Sequence, residues 1–432
     1  MIGNIYRRVV LMAMVLLWPA LVWSAAIEVS APGQQVISLA VTRILPMDAS
    51  RPELAREFHS VLTGDLEMSG LFRFADPAAF LSDANQLTLE SSQVDFEQWR
   101  MLGPEAVVKG GYSMENGRLV VEARLFDVVR QKMITGQRYT GSPEDVRLMA
   151  HAFADQILQA FTGQMGAFRG KIAYISDQTG FKELYMMNVD GTGVVRLTNH
   201  RSLVINPDFS PNGTDLVFTS YRSGNPDLIR LNLATRQEAR VSGRRGLNIS
   251  GRFSPKGDEV ALTMSEQKGS NIYVIGAGGG GMRRLTSSWG IDVDPSWSPD
   301  GSRLVFVSDR MGSPQLFIVS SSGAGERRLT TRGSYNVTPS WSPAGDRIAF
   351  SRMEQGRFDI YTIRPDGSDE RRLTFGAGNK EHPRWSPDGR FLVFSSDQGG
   401  AKALYVMRSD GGGLRRLSGG GGNCIHPVWS PR

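Results

Sequence analysis

Cysteine is almost absent from this chain, and its scarcity narrows the chemistry that the chain can perform. Cys424 is the only cysteine among 432 residues. No intramolecular disulfide can therefore form, and no cysteine-based zinc site can be built. A single cysteine beside a glycine run is more often incidental than catalytic. Stability must come from packing and hydrogen bonding instead.

Common catalytic signatures are also missing. The sequence has no Gly-x-Ser-x-Gly nucleophile elbow, no Walker loop and no His-Glu-x-x-His pair. One dinucleotide-type match, at Gly276, Gly278 and Gly281, leads into a predicted strand rather than the helix which that fingerprint requires. We therefore predict that the chain is not an enzyme, with no catalytic, cofactor-binding or metal-binding residues.

The N-terminus carries the pattern of an export signal. Arg7 and Arg8 precede an uncharged, mostly apolar run from Val9 to Trp23, and small residues follow up to Ala26. This run is shorter than the roughly 20 residues of a membrane-spanning helix, so it is typical of a cleaved secretory signal. We predict a signal peptide over residues 1–26, cleavage after Ala26 and a soluble, monomeric, extracytoplasmic product. Nucleic acid is a poor candidate partner for an exported chain.

A strict 44-residue period fills the last two-thirds of the chain. An aromatic residue precedes Ser-Pro six times, at Phe209, Phe253, Trp297, Trp341, Trp385 and Trp429. An apolar residue precedes Thr or Ser with the same step, at Leu197, Val241, Leu285, Leu329, Leu373 and Leu417. A fixed period in this range indicates units that bury their apolar faces only against each other.

Each unit predicts four short strands separated by turns, which is typical of a propeller blade. The last aromatic motif, Pro427–Pro431, has no strands after it, while the first unit lacks such a motif. The C-terminal strand is therefore predicted to close the ring as the innermost strand of the first blade, removing two open sheet edges. The predicted fold is a mixed α/β domain over residues 27–164, followed by an all-β six-bladed propeller over residues 165–432.

One set of positions is uniformly polar and chemically variable. It lies at the predicted start of the innermost strands and should ring the central channel at one face. Its members are Asn206, Ser250, Asp294, Thr338, His382 and His426. Three interpretations stay open: strand starts that are simply polar, a partner-binding surface, and, least favoured, a metal held by Asp294, His382 and His426.

The whole predicted mature chain resembles the TolB family, the periplasmic propellers of the Tol–Pal cell-envelope system. The resemblance rests on the junction Thr162–Tyr174, the Trp-Ser-Pro-Asp-Gly type of blade and the closing segment Pro427–Pro431. It implies a non-catalytic periplasmic scaffold that supports outer-membrane integrity and cell division, and that some bacteriocins exploit for import.

The resemblance also implies two partners. A Pal-type lipoprotein of the outer membrane would bind the propeller mouth formed by the six polar positions. A TolA-type inner-membrane protein would bind the mature N-terminal segment, where Ile27, Glu28 and Val29 match the family's start and the following residues depart from it. The alternative hypothesis is an exported propeller enzyme or glycan-binding module that uses the central channel.

Overall fold

The computed structural model describes residues 36–48, 51–266, 269–417 and 421–431. The predicted signal peptide and the predicted partner-binding residues Ile27, Glu28 and Val29 lie outside these ranges. Within them, no helix combines the length and the apolar character needed to cross a membrane.

The first domain is a six-stranded mixed sheet with helices on both faces. Its elements are β1 (Ile37–Val41), β2 (Leu45–Pro46), α1 (Pro52–Ser69), β3 (Phe72–Phe74), α2 (Phe96–Leu102), β4 (Ala106–Glu115), β5 (Arg118–Asp127), β6 (Lys132–Gly141) and α3 (Val146–Thr162). The sheet order is β3-β1-β4-β5-β6, with β2 also paired to β4. β1 runs parallel to β3 and β4, whereas β4, β5 and β6 form an antiparallel meander.

Two apolar layers hold this domain together. The buried faces of α1 and α3 pack on one side of the sheet, and α2 packs on the other through Phe96 and Trp99. On that second side Lys109 is fully buried, and its ammonium pairs with Asp83 at 2.5 Å. The indole nitrogen of Trp99 donates to the same carboxylate at 2.6 Å. Each buried polar group therefore has a partner there, as burial requires.

The second domain consists of six four-stranded antiparallel sheets, as the period predicts. The strands of blade 1 are β7 (Lys171–Ser176), β8 (Glu183–Asn188) and β9 (Val195–Arg196); of blade 2, β10 (Val204–Phe209), β11 (Asp215–Ser220), β12 (Asp227–Asn232) and β13 (Glu238–Ser242); of blade 3, β14 (Asn248–Phe253), β15 (Glu259–Glu266), β16 (Gly269–Gly276) and β17 (Arg283–Arg284). Those of blade 4 are β18 (Asp292–Trp297), β19 (Arg303–Ser308), β20 (Gln315–Ser320) and β21 (Arg327–Arg328); of blade 5, β22 (Asn336–Trp341), β23 (Ile348–Glu354), β24 (Arg357–Ile363) and β25 (Arg371–Arg372); of blade 6, β26 (Lys380–Trp385), β27 (Phe391–Ser396), β28 (Ala403–Arg408) and β29 (Arg415–Arg416).

The C-terminal strand β30 (Cys424–Trp429) closes the ring. It pairs antiparallel with β7, and the order of that sheet is β30-β7-β8-β9. Beyond the strand, the backbone N–H of Ser430 donates to the carbonyl of Lys171 at 2.8 Å. The predicted closure is confirmed: the last strand becomes the innermost strand of the first blade.

The repeated Leu-Thr pair explains why most outermost strands are only two residues long. In blade 4 the hydroxyl of Thr330 accepts a hydrogen bond from the backbone N–H of Leu316 at 3.0 Å, while Leu329 is buried. Thr286 and Thr374 make the same contact in blades 3 and 5, at 3.0 and 2.9 Å. A side-chain oxygen replaces a backbone acceptor, so a longer strand is unnecessary.

Strands alternate in direction within each blade, so the connections between them lie at two opposite ends of the propeller. The connections from first to second strand and from third to fourth strand lie at one end, which contacts the α/β domain. There Arg390 donates to the Thr162 hydroxyl at 2.7 Å, and Arg147 pairs with Asp190 at 2.5 Å. We call this end the domain face, and the opposite end, where the first strands begin, the open face.

The domain face is built like a protein interior. One hydrophobic core runs from α1 and α3 into blades 1 and 6. The rings of Phe168 and Phe391 lie 5.8 Å apart, and Phe391 stacks on Trp429 with centroids 6.0 Å apart. Buried His151 contacts Asp65 on α1 at 2.6 Å and Asp190 on blade 1 at 3.1 Å. The α/β domain is therefore part of the propeller's core packing.

Candidate functional site at the open face

The six polar residues predicted to ring the channel share one uncommon backbone conformation. Their φ angles lie between 50° and 58°, in the left-handed region that disfavours residues with a Cβ. Each lies where the register between the first and second strands shifts, which is a β-bulge. The residues are Asn206, Ser250, Asp294, Thr338, His382 and His426.

Positive φ angles at the other end of the same strands are treated differently. In the Ser-Pro turns of the domain face they fall on Gly213, Gly257, Gly301, Gly345 and Gly389, with φ of 70° to 79°. Glycine adopts this conformation without strain, whereas a residue with a Cβ loses roughly 1–2 kcal/mol. The open face accepts that loss at six positions and so presents side chains where a purely structural bulge could use glycine.

The structure brings five of the six side chains to a narrow void on the propeller axis. This void is lined by Asn206, Asp294, Thr338, His382 and His426, together with neighbouring prolines, Arg252 and Arg384. Ser250 is fully buried. Its hydroxyl accepts from the Asn206 amide and donates to the Asp294 carboxylate, both at 2.6 Å. Ser250 thus links two lining residues.

The two histidines of the ring contact each other and are neutral at neutral pH. Their ring centroids are 4.2 Å apart. Burial, and then nearby Lys402 and Arg384, lower the pKa of His382 to about 3. Burial and His382 hold the pKa of His426 well below its ordinary range. The Nδ1 atom of His426 accepts from the Asn206 backbone N–H at 3.2 Å, whereas Nδ1 of His382 is buried with no hydrogen-bond partner.

A second ring lies two residues further along each inner strand. This ring was not predicted from the sequence, although its positions follow the same 44-residue step. Its members are Asp208, Arg252, Ser296, Ser340, Arg384 and Val428. Arg252 and Arg384 line both the narrow void and a wider space toward the domain face. The channel therefore narrows at the open face, with two guanidinium groups below the polar ring.

The least favoured interpretation, a metal held by Asp294, His382 and His426, gains no support. Asp294 is engaged with Ser250, and the histidines pack ring against ring. Across the described ranges, no group of three or more His, Cys, Asp or Glu side chains has a geometry suited to a metal ion.

Large apolar side chains are exposed around the same face. They lie in connections from a fourth strand to the next blade or from a second to a third strand: Phe181, Trp289, Ile291, Met311, Tyr335 and Phe375. Trp289 is 78% exposed. Exposed apolar groups that surround polar ones on the same face are typical of a protein-binding surface. These exposed residues could not be predicted from the sequence, because loop residues show no periodic pattern of burial.

The aromatic residues that recur before Ser-Pro every 44 residues have a structural role. The Trp297 indole nitrogen donates to the carbonyl of Arg252 in the preceding blade at 3.1 Å, and that of Trp385 donates to Ser340 at 3.0 Å. Both bonds join neighbouring blades. Trp341 and Trp297 also lie in apolar clusters that join two neighbouring blades, so these rings pack between adjacent sheets.

Fold and site together define a class: a six-bladed propeller fused to an α/β domain, with a polar, narrow channel mouth and an apolar rim. Comparisons with known proteins place the chain within that class. The profile of the TolB amino-terminal domain matches residues 25–134, and the profile of the TolB beta propeller domain matches residues 158–432. The chain belongs to the TolB family.

Individual relatives are similar over part of their length. The Tol-Pal system protein TolB of Syntrophotalea carbinolica is 57% identical over 212 residues, which is 49% of each chain. That of Geobacter sulfurreducens is 45% identical over 216 residues, again 49% of each chain. The matched region thus spans about half the length of these curated relatives. A crystal structure of TolB from Acinetobacter baumannii has the same fold, with a TM-score of 0.79, 24% identity and coverage of 92% of this chain and 97% of that one.

Proposed function

We propose that the chain is a non-catalytic periplasmic scaffold of the Tol-Pal system. Its open face would bind a Pal-type outer-membrane lipoprotein, and its mature N-terminal segment would bind a TolA-type inner-membrane protein. The chain would in this way support outer-membrane integrity and cell division. The proposal depends on an exported product cleaved after Ala26. Membership of the TolB family supports it, as do the names of the relatives.

The observation that carries the binding site is the contrast in left-handed positions. Six side chains are held in a strained conformation around the channel mouth, although glycine occupies the left-handed position in the Ser-Pro turns at the other end of the inner strands. Strain of this kind persists where a site needs particular side chains. Exposed Trp289, Tyr335 and Phe375 extend the surface outward, and aromatic residues are enriched at protein interfaces.

The part of the proposal that concerns the mature N-terminal segment rests on the chemistry of its sequence alone. Ile27, Glu28 and Val29 lie outside the described residues. A short segment that follows a cleavage site and carries little charge is the kind of peptide that orders on binding. We propose this segment, up to about residue 35, as the binding site of the inner-membrane partner.

Affinity capture from envelope extract tests the proposal. The tagged mature chain, residues 27–432, is expected to retain an outer-membrane lipoprotein that mass spectrometry identifies by its peptidoglycan-binding domain. Thr338→Asp combined with His382→Asp should weaken the capture, because two charges are introduced at the mouth. The melting temperature is the control for folding.

A matched variant carries two new acidic groups at the domain-face end of blade 2, Thr235→Asp with Gln237→Glu, and should capture normally. If the wild-type chain retains no such lipoprotein, the scaffold proposal is wrong. If both double variants lose capture equally, the open face is not the binding surface.

A further inference from the structure

We propose that the channel mouth binds one carboxylate group, carried by an acidic side chain of the protein docked on the open face. Arg384 and Arg252 would hold this carboxylate, with His382 at its edge. The inference rests on the proposed function, since it assumes that the open face is the docking surface, and it adds the chemistry of what enters the channel.

Arg384 is the first observation. It lies in β26 and lines the narrow void as well as the wider space below it. A guanidinium has five N–H donors and no acceptor. No hydrogen bond or ion pair of Arg384 is found in the part of the chain that the structure describes. The donors of this half-buried guanidinium are therefore available to an acceptor that enters the channel.

Two further polar atoms without a partner belong to residues that line the same void. Arg252 donates through Nη1 to the carbonyl of Gly251 at 2.8 Å, but its Nε is buried with no partner. Nδ1 of His382 is buried and also has none. Both residues line the narrow void with Arg384. Three side chains from blades 3 and 6 thus leave polar atoms unsatisfied around one small volume.

The carboxylates of the channel do not neutralise Arg384. Asp208 accepts from the backbone N–H of Phe253 at 3.0 Å, and Asp294 accepts from Ser250 at 2.6 Å. Burial, reinforced by repulsion from Arg252, lowers the pKa of Arg384 to about 9 in spite of the attraction of these two acids. Burial likewise raises the pKa of Asp208. The two acids thus attract Arg384 without forming an ion pair with it, which leaves its hydrogen-bond donors available to a ligand.

The geometry favours a carboxylate over other anions. A carboxylate matches the planar fork of a guanidinium with two parallel hydrogen bonds. It carries a single charge, whereas a phosphate or sulfate dianion would be repelled more strongly by Asp208 and Asp294. Prolines from five blades surround the void and keep it narrow.

The rim of the open face indicates where the carboxylate comes from. Exposed cations in its connections and strand starts are Lys182, Arg201, Arg244, Arg245, Arg332 and Arg357. Among the described residues of the same connections, Glu354 is an exposed acid. This excess of positive charge would attract an acidic protein surface and steer it to the mouth. The occupant is thus an acidic protein partner with apolar contacts at its edge.

Arg384→Gln in the full mature chain tests the site directly. Because the substitution removes a cation without a partner, the variant should melt at the same temperature as the wild type or higher. Acetate, compared with chloride at equal ionic strength, should raise the melting temperature of the wild type by about 2 °C at tenfold saturation. This selective rise should vanish in Arg384→Gln. It should persist in Arg56→Gln, which loses an exposed charge on α1.

The second arm measures affinity for the soluble domain of the Pal-type lipoprotein from the same organism. Arg384→Gln should weaken binding about 30-fold or more, Arg56→Gln should not, and acetate should compete only with the wild-type chain. Normal lipoprotein binding by Arg384→Gln would overturn the inference while leaving the proposed function intact, and a surviving acetate effect would then identify a free-anion site. Failure of the wild-type chain to bind would overturn both.

Discussion

The two faces of the propeller are made from the same 44-residue unit, yet they differ in which residues occupy the left-handed positions at the two ends of the inner strands. On the domain face, positive φ angles in the Ser-Pro turns fall on glycine, and the charged groups pair with each other across the domain boundary. At the inner-strand bulges of the open face, the same conformation falls on Asn, Ser, Asp, Thr and His, and Nδ1 of His382 is buried without a hydrogen-bond partner. The domain face also contains buried atoms without a hydrogen-bond partner, among them Nε of Arg147 and Nε of Arg390. The contrast between the faces therefore rests on the left-handed positions of the inner strands and on the unpaired Arg384.

The buried histidines show the same difference. His151, between the domains, has its imidazole between two carboxylates. Burial opposes its charge, but hydrogen bonds to Asp190 and Asp65 raise its pKa to about 9. His382, at the channel mouth, faces Lys402, Arg384 and Arg252, and its pKa falls to about 3. At neutral pH the chain therefore holds a charged histidine as an internal link and a neutral histidine at its binding surface.

The largest effect is expected where both faces depend on one strand. Truncation after Asn423 removes β30, which supplies His426 to the open face and Trp429 to the core beneath the α/β domain. The truncated chain should lose cooperative unfolding, because β7 becomes an open edge. Calorimetric or urea unfolding measures this.

The control for truncation is His426→Asn, which changes the mouth, keeps the strand and tolerates a positive φ. It should unfold as cooperatively as the wild type. A truncated chain that does the same would show that the closing strand is dispensable.

The next effect concerns the internal link. His151→Gln leaves Asp65 and Asp190 facing each other without the imidazolium, and removal of one partner from a buried pair lowers the free energy of unfolding by about 3 kcal/mol. His382→Gln removes a neutral ring with an unused Nδ1 and should lower it by less than about 1 kcal/mol. Urea unfolding of both variants measures the difference. Equal losses would contradict the proposed contrast between the faces.

The pH dependence of stability should have opposite signs at the two histidines. The folded-state pKa of His151 is raised to about 9 from an ordinary 6.5. Its stabilisation is therefore complete below pH 6.5 and is lost as pH rises through 9. The folded-state pKa of His382 is depressed to about 3. Its contribution is present above pH 6.5 and is lost as pH falls toward 3.

Melting temperatures between pH 4.5 and 9.5 separate these contributions when each variant is compared with the wild type. The difference between wild type and His151→Gln should shrink above pH 7, where Asp65, Asp190 and Arg147 keep their charges. The difference for His382→Gln should change only below pH 6.5. A constant offset for His151→Gln across the range would mean that its imidazole is not charged.

The smallest effect tests the strain of the open face. Thr338 is β-branched and has a φ of 52°, a conformation that Asn adopts more readily. Thr338→Asn should raise the free energy of unfolding by up to about 1 kcal/mol, reduced by loss of the 2.9 Å hydrogen bond to the Ser351 hydroxyl. Gly345→Asn, on the domain face of the same blade, should lower it. A destabilised Thr338→Asn would show that the bulge is not strained.

Periodic features could be predicted from the sequence, and contacts between distant segments could not. The 44-residue step was enough to predict the six blades, the closing role of Pro427–Pro431 and the polar ring from Asn206 to His426. It also contained the second ring with Arg384, which the same register places two residues further on. Nothing in the local sequence marks Arg384 as unpaired, since that depends on which groups donate hydrogen bonds to Asp208 and Asp294.

The link between the domains was beyond sequence reasoning for a similar reason. His151 meets Asp65 across 86 residues and Asp190 across 39, so no spacing rule connects them. The strained bulges also escaped prediction, because a register shift is defined by pairing between two strands. Asn206 or His426 alone carries no signal of it.

Hydrogen–deuterium exchange of the mature chain, with and without the soluble lipoprotein domain, tests the central claim most directly. Binding at the open face should slow exchange in the connections over residues 286–291 and 331–335, beside Trp289 and Tyr335. The Ser-Pro turns over residues 299–302 and 343–346 on the domain face should exchange at unchanged rates. Protection of those turns, with none in the open-face connections, would contradict the account.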